Sequence, residues 1–203
     1  MDDLYTAVLH DVKNQLAELA LRLGKRGDAQ QEMLVAMNAA RQLSEMLLVH
    51  RDAADMLWLN ADTVSPADFL AILAAEYREL FPDVAIYVDA EGAPACGFFD
   101  DMLVRMAFGN ALHNACRFAG STVRLAAYEQ DSMLVLEVSD DGPGFPDSVL
   151  DSAGKLPAAA STSGTGLGLY LARRIAERHQ LQGRQGSIAL SNAGGGRFCM
   201  RLP

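Results

Sequence analysis

Across the first 57 residues, apolar side chains return in steps that only a helix can place on one side. Tyr5, Leu9, Val12, Leu16, Leu19 and Leu23 recur at spacings of 4, 3, 4, 3 and 4, a seam at coiled-coil period. Gly24 stops this helix, and Asp28 with Gln31 three residues later forms a capping box that starts another. Met33, Ala36, Ala40, Leu43, Leu47, His50, Ala54 and Leu57 repeat the pattern, so residues 1–57 are expected to form a helical hairpin with two seams. Two helices bury too little apolar surface to stand alone. A second copy completing a dimeric four-helix bundle is the simplest solution, with docking of the hairpin onto the rest of its own chain as the alternative.

Beyond residue 58 the period changes. Ser65-Pro66-Ala67-Asp68 is an N-cap followed by proline at the first helical position, and Phe69, Ile72, Leu73 and Leu80 face that helix inward. Val84, Ile86 and Val88 alternate as a strand, with a second short strand at Cys96–Phe99. Asp100 caps a long helix that Gly120 ends. Val123, Leu125 and Ala127 pair with Leu134, Leu136 and Val138 as a hairpin turning at Gln130-Asp131. Residues 147–163, rich in Ser and Ala with Gly154 and Pro157 among them, read as a mobile lid-like loop. Gly164-Thr165-Gly166-Leu167-Gly168-Leu169 opens a last helix, with Leu171 and Ile175 inward, and strands near Ile188–Leu190 and Phe198–Leu202 close the chain around Gly194-Gly195-Gly196. Residues 62–203 are thus expected to form a mixed sheet with helices on one face.

Charge narrows the partners. A formal net charge of -9 and a pI near 4.8 leave no basic footprint for nucleic acid or an anionic membrane surface. No apolar run approaches the length of a membrane span and the start is acidic, so a cytoplasmic protein is expected. Cys96, Cys116 and Cys199 are far apart without Cys-x-x-Cys spacing, and are expected to be reduced packing residues.

Three stretches carry chemistry. At the end of a strand, Asp140-Asp141-Gly142-Pro143-Gly144 offers a carboxylate that can accept from an exocyclic amine, with Gly142 and Gly144 leaving room for a flat ring. The same residues also make a good β-turn. On the long helix Asn110, Asn114 and Phe118 stand four residues apart with Arg117 beside them. They are either solvated surface or an oxygen ligand for Mg2+, a cation for phosphate and a ring for stacking. Backbone N–H groups of Gly164, Thr165, Gly166, Leu167 and Gly168 can cradle phosphate. On the first helix His10, Asp11 and Asn14 fall on the outer face, where the carboxylate can hold the imidazole tautomer and leave the other nitrogen nucleophilic. An exposed helical histidine is otherwise plain surface. His50, on its seam, reads as a core or interface histidine.

Taken in order, these stretches resemble the catalytic core of a bacterial two-component sensor histidine kinase. His10-Asp11-Val12-Lys13-Asn14-Gln15-Leu16 is similar to the phosphoacceptor box, and Asn110-Ala111-Leu112-His113-Asn114-Ala115 to the asparagine box. Asp140 to Gly144 and Gly164 to Leu169 are similar to the two glycine boxes. The resemblance implies a dimerisation and phosphotransfer hairpin over 1–57 and a Bergerat-type ATP-binding domain over 62–203. It implies that Asp140 binds the adenine amine, Asn114 holds Mg2+ with Asn110 nearby, and Phe118 flanks the base. It further implies autophosphorylation of His10 from Mg-ATP and transfer to the receiver-domain aspartate of a response regulator, with dephosphorylation of that regulator as a second activity. Arg117 stands where lysine is common, Gln15 where proline is common, and the phenylalanine-rich box between the glycine boxes has no match. Only nine residues precede His10, so an excised core, or a kinase taking input from a separate protein, is expected. A phosphotransfer or sequestering scaffold with little kinase activity is the alternative. A serine kinase or ATPase of the same superfamily gives no reason for the hairpin.

Overall fold

The computed structural model describes residues 2–25, 29–53, 56–152 and 167–203, and of residues 2–8, 10, 30 and 31 the backbone alone. The chain divides into two compact units, Met1–Leu57 and Trp58–Pro203.

The first unit is a hairpin of α1 (Asp2–Gly24) and α2 (Gln30–Ala53). The proposed cap at Asp28 lies outside the described residues. The second helix is described as far as Ala53, and the Leu57 that its seam predicts lies outside it. Ala20, Ala36 and Leu48 are buried, whereas Leu9, Leu16, Leu43 and Leu47 are only half-buried and Val12 and Leu19 remain 40% and 46% exposed. A single hairpin therefore leaves much of both seams open. His50 is exposed, which removes the reading of a histidine satisfied inside the hairpin. Glu45 is buried one turn from Arg41 and accepts its guanidinium at 2.6 Å. Burial raises the Glu45 pKa, against which the arginine acts.

The second unit is an α/β sandwich. Its sheet runs in the order β2 (Ala85–Asp89), β4 (Thr122–Gln130), β5 (Met133–Asp140), β9 (Gly196–Leu202), β8 (Ser187–Asn192). β2 pairs parallel with β4 and every other pairing is antiparallel. The two-residue alternation decides which face is covered: along β9, Phe198, Met200 and Leu202 are buried while Arg197, Cys199 and Arg201 are half-exposed. Against the buried face lie α3 (Pro66–Leu80), α4 (Asp101–Phe118) and α6 (Leu167–Arg178). Phe69, Leu73, Phe108, Leu112, Leu171 and Ile175 are almost fully buried there, each contributing roughly 1.5–3 kcal/mol of apolar burial.

Local signals place the helices. The Ser65 hydroxyl accepts the Asp68 amide at 3.3 Å ahead of Pro66, and the Asp100 carboxylate accepts the Leu103 amide at 2.9 Å. The β4–β5 hairpin turns through Asp131 and Ser132, both left-handed (φ 54° and 56°), the hand that matches strand twist.

Three features depart from the sequence reading. The short strand β3 (Gly97–Phe99) pairs with β1 (Asp62–Val64) as a separate two-stranded sheet, because Phe99 turns inward to pack edge-on against Phe69, 5.6 Å between centroids. Residues Asp147–Ser152, expected as loop, form a short helix α5 behind Pro146, whose carbonyl accepts the amides of Val149 and Leu150. After α6, strands β6 (Gln180–Leu181) and β7 (Arg184–Gln185) make a small hairpin. All three cysteines are free; Cys116 is buried, but Cys96 is exposed and is no packing residue.

Candidate functional site

β5 delivers Asp140 to the end of the sheet, and what surrounds it is backbone. Its Oδ1 accepts the Gly142 amide at 2.8 Å and the Gly196 amide at 3.3 Å. A side chain at Gly196 would meet Oδ2 at 2.8 Å, and one at Gly195 would overlap the Asp140 carbonyl. The glycines at the β8–β9 turn are thus packed directly against Asp140. Two donors on Oδ1 fix the plane of the carboxylate, while Oδ2 has no hydrogen-bond partner among the described residues. Beneath it Cys116 has its thiol pKa pushed up to about 12, first by burial and then by the Asp140 charge, so this thiol stays protonated and unreactive.

The turn after Asp140 sits on the end of α4. A side chain at Gly142 would overlap the Phe118 carbonyl, so the glycine permits a contact that no other residue could make. Asp141 points the other way. Its carboxylate accepts the Ser121 amide, the Thr122 amide and the Ser121 hydroxyl at 2.8 to 3.1 Å. Those donors hold its pKa well below the usual carboxylate range.

On α4 the three residues at four-residue spacing descend from inside to outside. Asn110 is buried, Asn114 half-buried, and Phe118 is 48% exposed with the Arg117 guanidinium over its ring at 5.3 Å. Gly168, in the first turn of α6, is buried so tightly against Asn110 that any side chain there would occupy the amide's position. The structure therefore brings Asn110, Leu167 and Gly168 to one place and the Asp140–Gly144 turn to the far end of the same helix. Gly164, Thr165 and Gly166 lie outside the described residues. Asp11 and Asn14 are exposed on α1, and of His10 only the backbone is described. No group of three His, Cys, Asp or Glu side chains that could hold a metal occurs among the described residues. A cation here would therefore take the Asn114 amide oxygen and otherwise phosphate and water, a donor set that suits Mg2+ accompanying a nucleotide.

Asn192 escaped the sequence reading. At the end of β8 its amide accepts the Phe145 N–H at 2.8 Å and donates to the Phe145 carbonyl at 2.9 Å. The anchoring of Asp141 on Ser121 and Thr122 was missed as well. Only the glycine run at 194–196 marked this corner, and it read as a strand junction.

A carboxylate packed against glycine backbone at the end of the sheet, beside a helix that carries two asparagines and an aromatic ring, is the arrangement of a nucleotide-binding α/β sandwich. The chain belongs to the histidine kinase-, DNA gyrase B- and HSP90-like ATPase family, whose pattern matches residues 99–203. It is 28% identical to the sensor histidine kinase GtrS of Pseudomonas aeruginosa over 207 aligned positions, covering 98% of this chain and 41% of GtrS. With the sensor-type histidine kinase PrrB of Mycobacterium tuberculosis it shares 32% identity over 145 residues, 69% of this chain and 31% of PrrB. The structure of full-length ShkA in complex with AMPPNP superposes with a TM-score of 0.72 at 18% identity, covering 99% of this chain and 45% of ShkA. That likeness is one of fold. The chain spans less than half the length of these relatives, and no helix among its described residues is long and apolar enough to cross a membrane.

Proposed function

We propose that this chain is the kinase core of a two-component system, working in the cytoplasm as a homodimer. One observation carries the nucleotide half: Asp140 keeps Oδ2 without a hydrogen-bond partner among the described residues while two backbone amides hold Oδ1, so the carboxylate is aimed and ready to accept an exocyclic amine of adenine. Phe118, exposed beside that turn, supplies a face for the ring. Arg117 brings positive charge toward phosphate, and Asn114, with Asn110 nearby, supplies the amide oxygen where Mg2+ would neutralise phosphate charge. The amides of Gly164 to Gly168 would receive the phosphates.

Family membership and the similarity to sensor histidine kinases support the transfer step. A ring nitrogen of His10 uses its lone pair to form the N–P bond to the γ-phosphorus as the bond to the bridging oxygen breaks and its electrons leave with ADP. Asp11 holds the other ring nitrogen's proton and favours the attacking tautomer. The phosphoryl group then passes to an aspartate oxygen of a response-regulator receiver domain, and Asn14 serves a separate reaction, holding the water that hydrolyses the aspartyl phosphate on that regulator to inorganic phosphate. The open seams of the hairpin support a second copy as the partner of residues 1–57.

Labelling with radioactive ATP followed by acid and alkali treatment tests the reading. A label lost in acid, retained in base and absent from His10→Ala is the expected result. An acid-stable label marks a hydroxyl acceptor, and no label at all with ATP still bound marks the phosphotransfer scaffold.

A further inference from the structure

Phe145 is held by a side chain from the far edge of the sheet. One carboxamide, that of Asn192, meets both backbone polar groups of this one residue, at 2.8 and 2.9 Å. Among neutral side chains only an amide presents a donor and an acceptor side by side in one plane. Gly144 makes the meeting possible: it is left-handed (φ 81°), and a Cβ there would stand 2.6 Å from the Asn192 oxygen. The consequence reaches Asp140, because the Phe145 ring edge lies 3.3 Å from where a Cβ of Gly196 would be, and Gly196 donates to Asp140. The Gly142–Phe145 segment is thus fixed at one end by Asp140 and at the other by Asn192. Asn192 itself is exposed at the tip of an edge strand, where a residue contributes little to the stability of the fold.

We propose that Asn192 is a positioning residue of the nucleotide site, setting the place of the Phe145 backbone and ring beside Asp140 and thereby the shape of the base-binding turn. This rests on the reading of Asp140 as the base acceptor. A turn without its clasp must be ordered by the ligand, and binding weakens by the free energy of that ordering. Because the clasp acts on the base end, the loss is the same for ADP and for ATP.

The test uses the whole chain, with Asn192→Asp, which keeps an acceptor but replaces the donor with a charge facing the Phe145 carbonyl, and Asn192→Ala, which removes both contacts. Calorimetry with Mg-ADP and Mg-ATP should show affinity lowered about tenfold in both variants, the size of one lost hydrogen-bonded constraint. The melting temperature of the nucleotide-free protein should stay close to wild type. At saturating ATP the phosphorylation rate should recover, so that KM rises and kcat holds. Wild-type affinity in both variants, alongside weakened binding by Asp140→Asn, overturns the role of Asn192 and leaves the base reading standing. A fall in melting temperature with unchanged affinity means the contact only stabilises the fold. Wild-type protein that binds no adenine nucleotide, or Asp140→Asn that binds it normally, overturns the base reading and the clasp with it.

Discussion

The Nε2 of His179 accepts the backbone N–H of Asp100 at 3.0 Å, and through that bond the end of α6 is fastened to the start of α4. The other ring nitrogen, Nδ1, carries the proton and donates to the Ile175 carbonyl at 2.7 Å. Asp100 in turn caps α4 and accepts the Asn60 amide at 2.8 Å. Eleven residues back along α6, Gly168 presses on Asn110, ten residues forward along α4. The two helices are therefore pinned antiparallel at two points, about 15 Å apart along the axis, and the His179 pin holds the helix that carries both asparagines.

That pin gives the protein an acid-sensitive joint. Burial lowers the His179 pKa below its ordinary value of 6.5 by desolvating the charged ring, outweighing the Ile175 hydrogen bond and the Asp100 charge, which act the other way; protonation would also put a second donor against the Asp100 N–H. The unfolded chain then binds the proton more readily than the folded one, so stability is fully present above about pH 6.5 and falls as the pH drops below it. Thermal unfolding between pH 7.5 and 5.5 should show this decline, and His179→Gln, whose amide oxygen can still accept from Asp100, should flatten it. His179→Ala, which orphans the buried Asp100 amide, should lose about 1–3 kcal/mol at neutral pH.

Asp140→Asn should lose adenine-nucleotide affinity by on the order of tenfold to a hundredfold with the fold intact. The amides of Gly142 and Gly196 require an oxygen at the Oδ1 position, so the new NH2 must occupy the Oδ2 position and face the base amine, donor to donor. Calorimetry checks it, and unchanged affinity would sink the assignment.

A dimer through residues 1–57 is expected. Leu16 and Leu47 are half-buried within one hairpin, and Leu16→Glu with Leu47→Glu should give monomer or unfolded chains, since each would bury an unpaired charge between copies. Light scattering at micromolar concentration decides, and a wild-type monomer would contradict the bundle.

Asn14 should separate two activities. His10→Ala should abolish autophosphorylation, whereas Asn14→Ala should keep it within a few-fold and lose dephosphorylation of the phosphorylated regulator by on the order of tenfold, the loss of one contact that holds the attacking water in line. Both rates are to be measured on one preparation with the cognate regulator. No loss in either step would mean that Asn14 is ordinary helix surface, and equal losses in both would overturn the separation of the two activities.

Period and punctuation settled much of the molecule from sequence. The three-and-four spacing made a hairpin of the first unit, the two-residue alternation chose the buried face of the sheet, and Ser65-Pro66 and Asp100 started their helices, because these signals act within a few residues along the chain. Asp140, Asn110 and Asn114 could be singled out for the same reason, as acceptors next to glycine or at one-turn spacing. Tertiary structure alone decided what those acceptors face. Asn192 meets Phe145 across 47 positions, His179 meets Asp100 across 79, and Gly196 meets Asp140 across 56. Each is a hydrogen bond made after strand pairing and helix packing have brought distant segments together, and no spacing in the sequence records it. An exposed asparagine at a strand end and a histidine after a helix look like surface until the sheet order puts a backbone group opposite them.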